Sequence, residues 1–146
     1  MRTAALALLA GRDFARQELA DRLQRKGYRD DLVEAVIERL QAEQFLSDDR
    51  FAEQYAVQRA ARGKGPVRIR QELAGRGVTG ELADKALDLP QDEWVRRARE
   101  LRRKRFGEAP PQDFRERAKQ ARFLQYRGFS AEQIRAAFGP GDDFES

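Results

Sequence analysis

The stretch RQELADRLQRKGYRDDLVEAVIERL, residues 16–40, decides the architecture. Leu19 and Leu23 lie one helical turn apart, so a helix over about 15–26 turns both inward, together with Phe14 just before it. Gly27 then ends that helix, since glycine accepts the left-handed backbone that closes a helix. Tyr28 follows as an apolar plug. A second helix over about 31–44 places Leu32, Val33, Val36, Ile37 and Leu40 on one stripe. Upstream, MRTAALALLAG (residues 1–11) contains Ala5, Leu8 and Leu9 at helical spacing. Its apolar run is too short to span a bilayer, and it reads as a packing helix rather than a targeting segment. Residues 1–45 thus form a three-helix unit.

The unit recurs. Shifted by fifty residues, Leu19, Leu23, Gly27, Tyr28, Leu32 and Val36 fall on Ile69, Leu73, Gly77, Val78, Leu82 and Ala86. Every position keeps its type. Shifted again by fifty-one, Leu73, Gly77 and Val78 fall on Leu124, Gly128 and Phe129, and Ile134, Ala137 and Phe138 continue the stripe. Gln120 breaks the third copy where Ile69 stands in the second. Each copy has an upstream helix. The second uses about 48–61, with Phe51, Ala52, Tyr55 and Ala56 at helical spacing, Ser47 as N-cap, and Asp48 and Asp49 at the positive end of the helix dipole. The third uses about 91–106, with Trp94, Ala98 and Leu101 on one face, and Ser130 with Gln133 forms a capping box for the last helix. Breaks are expected at RGKGP (62–66) and GEAPPQ (107–112), where Gly and Pro interrupt helical periodicity. The fold class is all-α: nine helices in three tandem three-helix repeats, over 1–45, 46–90 and 91–139. A three-helix unit of this size makes a poor core alone, so neighbouring units should share apolar surface in an elongated, curved array. Residues 140–146 read as a flexible acidic tail.

Composition narrows the function. Of 146 residues, 40% are hydrophobic and 37% charged, too apolar for a disordered chain. With no cysteine and no histidine, thiolate chemistry, cysteine-ligated metals and the usual neutral-pH acid–base group are excluded. The net charge of +4 is unevenly spread. Residues 1–61 hold 10 basic and 11 acidic groups, whereas 96–127 hold 12 basic and 4 acidic. Such a field attracts phosphates or an acidic protein face.

Four segments resemble one known family. FLSDDRFAEQYAVQR (45–59) is similar to its link into the second repeat. KGPVRIRQELAGRGV (64–78) is similar to its glycine-led helix and Gly-Val turn. RQELADRLQRKGY (16–28) and RFLQYRGFSAEQI (122–134) match its first and third repeats. In this order they resemble the RecX family of regulatory proteins over nearly the whole chain. Two positions depart from it. Ala15 stands where the family often has a serine cap, a loss of roughly 1 kcal/mol, and Gly11 stands where a long residue is common. The resemblance implies a cytoplasmic, non-enzymatic protein of the SOS and recombination system. It implies a partner, the RecA recombinase filament on single-stranded DNA, and inhibition of strand exchange, ATP hydrolysis and co-protease action.

Three basic clusters are candidate binding residues on their own chemistry. On the helix around 94–106, Arg96, Arg99 and Arg103 recur at three- and four-residue spacing and share an exposed face, with Arg97, Lys104 and Arg105 extending the field. The second cluster is Arg62, Lys64, Arg68 and Arg70, where Gly63 and Gly65 permit close backbone approach and the helix start at Pro66 offers amides to an anion. The third is Arg115, Arg117, Lys119, Arg122 and Arg127, of which Arg115, Lys119 and Arg122 share one helical face and Arg127 comes at the next turn. Tyr126 and Phe129 could stack on bases, but Phe129 reads as core because Tyr28 and Val78 occupy its equivalent places. The pairs Asp30–Asp31 and Asp48–Asp49 sit at helix starts and lack a third ligand, so no metal is expected, and no cofactor. RGKGPVR is not a nucleotide-binding loop. Two other readings stand beside the family one: a direct DNA-binding helical module, with weak and non-specific DNA binding fitting both, and an adaptor for an unrelated acidic protein. Neither involves a membrane, and a monomer is expected because a repeat array can cap itself.

Overall fold

The computed structural model describes residues 1–139, and the acidic segment 140–146 lies outside them. Nine helices make up the described residues: α1 (Arg2–Gly11), α2 (Arg16–Arg25), α3 (Asp30–Ala42), α4 (Asp48–Ala61), α5 (Pro66–Gly75), α6 (Gly80–Ala86), α7 (Gln91–Phe106), α8 (Phe114–Arg127) and α9 (Ala131–Ala137). They fall into three successive triplets, and the protein is all-α.

One device closes the middle helix of each triplet. Gly27, Gly77 and Gly128 take φ of 99°, 83° and 103°. The amide of the next residue then reaches back to a leucine carbonyl five positions earlier: Tyr28 to Leu23 at 3.3 Å, Val78 to Leu73 at 2.9 Å and Phe129 to Leu124 at 3.2 Å. This is the Schellman closure. It satisfies carbonyls left over at the helix end and folds the next apolar side chain back on the core. Val78 and Phe129 are buried, and Tyr28 packs half-buried against the first core.

The buried positions follow the repeat with one correction. Leu32, placed on the core stripe by its spacing, is 49% exposed. The inward residues of α3 are Val33, Ile37 and Leu40. Their equivalents at the same shifts are Ala83 and Leu87 in the second repeat and Ile134 and Phe138 in the third, all buried. The repeat is real, and its buried seam lies one residue later than Leu32 and Leu82.

Two compact units form. The first comprises Met1–Ala56 and Glu72–Ala86. Its core gathers Ala5, Phe14, Leu19, Leu23, Val33, Ile37, Leu40 and Leu46, with Met1, Ala4, Leu6, Leu8 and Leu9 of α1 packed against them. The apolar N-terminal run is therefore a packing helix. The missing serine cap at position 15 is compensated from two sides: the Ala15 amide donates to Glu18 at 3.2 Å and the Arg16 amide to Asp48 at 2.6 Å. Ser47 caps α4, its hydroxyl accepting from the Arg50 amide at 3.1 Å. α3 stops at Ala42, short of the expected 44. Gln44 takes φ 66°, and the amides of Phe45 and Leu46 both turn back to the Leu40 carbonyl.

The second unit comprises Val57–Gln71 and the chain from Leu87 onward. α7 packs on α8 and α9 around Trp94, Ala98, Leu124, Phe129, Ile134 and Phe138. The Trp94 indole N–H reaches the Leu87 carbonyl at 3.4 Å, which meets the need of a buried indole for an acceptor. Ser130 and Gln133 form the expected capping box, at 3.1 Å and 2.9 Å. Gln120, at the position of Leu19 and Ile69, is likewise buried. It accepts from Arg102 at 2.8 Å and donates to Glu116 at 3.0 Å. The third repeat thus replaces an apolar contact with a hydrogen-bonded network, the form a buried polar group requires.

Candidate functional site

An open groove of about 540 Å³ runs along α7 within the second unit. Arg62 and Gly63, at the turn after α4, form one side. Arg96, Arg97, Glu100, Leu101, Arg103 and Lys104 of α7 form the other, with Glu108 and Phe129 completing it. Leu101 also faces the turn closely, since a Cβ placed on Gly63 would lie 3.2 Å from its Cδ1. Five candidate cations from two clusters therefore converge: Arg62, Arg96, Arg97, Arg103 and Lys104. Lys64, Arg68, Arg70, Arg115, Lys119 and Arg122 do not line the groove. Arg115, Lys119 and Arg122 are exposed along α8, and Arg70 is exposed on α5.

The cations of the groove are unequal. Arg96 pairs with Glu93 and with Glu100, and Arg97 also pairs with Glu93, at 3.1 Å. The hydrogen bond from Arg96 is the main reason the Glu93 carboxyl titrates below its ordinary value; partial desolvation opposes it, and the charges of Arg96 and Arg97 add to it. Arg96 is correspondingly held more firmly charged, chiefly by Glu93. Among the described residues Arg103 meets only a distant carboxylate, Glu108 at 3.9 Å, which is 88% exposed. An incoming anion must displace glutamates to engage Arg96, whereas Arg103 meets it with a weaker internal competitor.

Several arginines serve the fold instead, which corrects the reading of α7 as one outward basic face. Arg99 donates to the carbonyls of Ala136 at 2.9 Å and Ala137 at 3.2 Å, at the C-terminal end of α9. Arg127 donates to those of Arg62 at 2.7 Å and Gly63 at 3.2 Å, just after α4. Arg68 reaches the Tyr126 carbonyl at 3.0 Å near the end of α8. Arg50 reaches Phe45 at 3.2 Å after α3. Each cation sits where carbonyls at a helix end are left over and the helix dipole is negative. Arg102, which no basic cluster of the sequence singled out, is 6% exposed and bonds Gln120 and the Gly107 carbonyl. The placement of Gln120 at a core position was the one available signal of its role.

The N-terminus of α5 is likewise committed. The Gly65 amide donates to Arg127 O at 2.8 Å and the Val67 amide to Gly128 O at 2.9 Å, so these donors meet the chain's own backbone rather than an anion. The glycines make this possible. A Cβ on Gly65 would lie 2.4 Å from the Gly128 carbonyl oxygen, and one on Gly128 would lie 2.3 Å from Arg68 Cβ. Phe129 is buried at 3% exposure, whereas Tyr126 is 76% exposed. Among the described residues no group of three metal-ligating side chains converges, and no helix is long and apolar enough to cross a membrane. Asp48 and Asp49 are engaged by the Arg16 amide and Lys85.

The fold and groove define a tandem helical-repeat protein with a cationic recess. Comparison with known proteins makes it specific. Residues 2–40, 47–87 and 91–138 match the first, second and third three-helix domains of RecX. The chain is 46% identical over 143 residues to the regulatory protein RecX of Halorhodospira halophila, covering 98% of this chain and 89% of that one. It is 47% identical over 133 residues to the regulatory protein RecX of Chromohalobacter salexigens, covering 91% and 87%. The fold is shared with the crystal structure of RecX from Lactobacillus salivarius, with a TM-score of 0.83 at 24% identity over 97% of this chain and 94% of that one. The chain belongs to the RecX family of regulatory proteins.

Proposed function

We propose that this protein binds the RecA recombinase, chiefly as its filament on single-stranded DNA, and inhibits its strand-exchange, ATPase and co-protease activities, acting as a cytoplasmic monomer. The observation that carries the reading is the match of all three repeats, in order, to the domains of a regulatory family. The groove supports it physically, because five cations around one recess offer a handle for a negatively charged assembly. Binding of that kind weakens steeply with salt. The test is a titration of this protein into RecA hydrolysing ATP on single-stranded DNA. A progressive fall in hydrolysis and in strand exchange is expected. Unchanged rates at saturating protein would remove the proposal.

A second reading, direct DNA binding, draws on Arg115, Lys119 and Arg122 beside the exposed Tyr126. Sequence-specific recognition requires one duplex to be preferred over its scrambled version at moderate salt. Equal binding to both would leave only a non-specific electrostatic contact.

A further inference from the structure

The wall of the groove opposite α7 is a turn, and one distant residue holds it. The turn's amides are satisfied locally: Arg62 N donates to the Gln58 carbonyl at 3.2 Å, Gly63 N to that of Ala60 at 3.0 Å and Lys64 N to that of Arg59 at 3.0 Å. Its outward carbonyls, Arg62 O and Gly63 O, both accept from the Arg127 guanidinium, at 2.7 Å and 3.2 Å. The backbone carbonyl of Arg127 in turn accepts from the Gly65 amide at 2.8 Å. Arg127 thus grips the turn at residues 62, 63 and 65, yet it does not itself line the groove. The fit is close. A Cβ on Gly63 would lie 2.8 Å from Arg127 Nη2 and 3.2 Å from Leu101 Cδ1, so a bare backbone is what lets the guanidinium and the α7 leucine both come this near.

Among the described lining residues, Arg62 is the cation that α7 does not carry; Arg96, Arg97, Arg103 and Lys104 all belong to that helix. Where the turn stands therefore decides whether the groove presents one cationic site or a helix face with a separate charge beside it. The grip is not a property of the repeat. Arg127 precedes the glycine that closes α8, as Arg76 precedes Gly77 and Lys26 precedes Gly27. Arg76 instead bonds the Glu72 carbonyl of the helix it follows at 3.3 Å and pairs with Glu18 at 3.5 Å, and Lys26 is exposed. We infer that Arg127 is a positioning residue: it holds Arg62 beside the cations of α7, so that the groove binds a polyanion as a single site. The inference rests on the groove being the anion-facing surface of the protein, whichever assembly supplies the anion.

The test uses the full chain with sodium tripolyphosphate and no RecA. In the wild-type protein the anion should shift the amide signals of Arg62, Gly63, Arg103 and Lys104 together, with one dissociation constant. Arg127→Lys keeps the charge, but a single ammonium does not span two carbonyls as the planar fork does. It should weaken binding about fivefold, and the Arg62 signal should no longer follow those of α7. Arg62→Gln should weaken binding to the same extent, and adding Arg127→Lys to it should weaken binding no further, the mark of one residue acting through another. Arg99→Lys loosens a different helix-end grip in the same unit, so it should lower the unfolding midpoint and leave the affinity unchanged. Four results would overturn the inference: wild-type affinity in Arg127→Lys, losses that multiply in the double variant, equal weakening by Arg99→Lys, or no joint shift in the wild-type protein. The tripolyphosphate cycle alone decides it; failure of RecA filaments on single-stranded DNA to capture the wild-type protein would instead remove the RecA reading.

Discussion

Gly128 and Gly65 touch backbone to backbone, and neither position has room for one more carbon. Gly128→Ala adds that carbon and also forces a side chain onto a φ of 103°. Gly27 has a similar φ of 99° but open space around it. Gly27→Ala should therefore cost only the left-handed penalty, about 1–2 kcal/mol, whereas Gly128→Ala should cost about 3 kcal/mol or more. Urea unfolding of the two variants side by side measures the difference. The Arg102–Gln120 pair makes a second residue-scale prediction. Gln120→Leu restores the apolar pattern of the other repeats but strips a buried guanidinium of an acceptor, at a cost of about 1–3 kcal/mol. Adding Arg102→Met should recover part of that loss, and a double-mutant cycle reads the coupling. Sequence alone marked Gln120 as the odd member of its repeat. It could not tell that an arginine eighteen residues upstream would reach it, because helical spacing gives a face and not the neighbour standing opposite that face.

At the scale of the helices, ends were legible where the chain chemistry punctuates them. α7 begins after Pro90 and stops before Gly107, as the flanking Pro and Gly predict. The spacing carries α3 two residues past its observed end, because Glu43 and Gln44 favour helices and no glycine announces the left-handed turn that Gln44 adopts. α2 shows how an absent cap is replaced. Glu18 accepts from the Ala15 amide and pairs with Arg12 at 2.9 Å and Arg76 at 3.5 Å. Burial alone would raise its pKa, but the Arg12 hydrogen bond, the Ala15 amide and the charges of Arg12 and Arg76 outweigh it and hold the carboxyl below its ordinary value of 4.5. A carboxylate with a lowered native pKa stabilises the fold fully above its unfolded value, and that stability is lost as pH falls through the native one. Stability should thus decline on acidification below about pH 4.5, and Glu18→Gln should be less stable at neutral pH with a shallower acid decline. Denaturant midpoints across pH test both features.

For the second unit, the positive charge includes arginines that join helix ends (Arg68, Arg99 and Arg127), cations that line the groove (Arg62, Arg96, Arg97, Arg103 and Lys104) and an exposed set on α8 (Arg115, Lys119 and Arg122). A net charge summed over a segment mixes them, which is why the basic α7 was readable as an electrostatic feature while the commitment of Arg99 was not. The division is testable. Arg99→Gln loses a cation at two carbonyls of α9 and should destabilise the protein by about 1 kcal/mol. Arg103→Gln combined with Lys104→Gln should leave the unfolding midpoint nearly unchanged yet weaken the RecA-filament binding proposed for this protein and flatten its salt dependence. If the double variant binds with undiminished affinity and the same salt slope, the groove is not the contact surface.

α4 and α5 both belong to the second repeat, yet each contributes residues to two compact units: the units change at Ala56–Val57 within α4 and at Gln71–Glu72 within α5. The seams visible in the genetic message are therefore not the seams along which this polypeptide can be cut. A fragment trimmed at a repeat border, such as one ending near residue 46, would forfeit Phe51, Ala52 and Leu73 from its interior. A fragment confined to one repeat period should therefore unfold at lower denaturant than one that keeps the whole of Met1–Ala86.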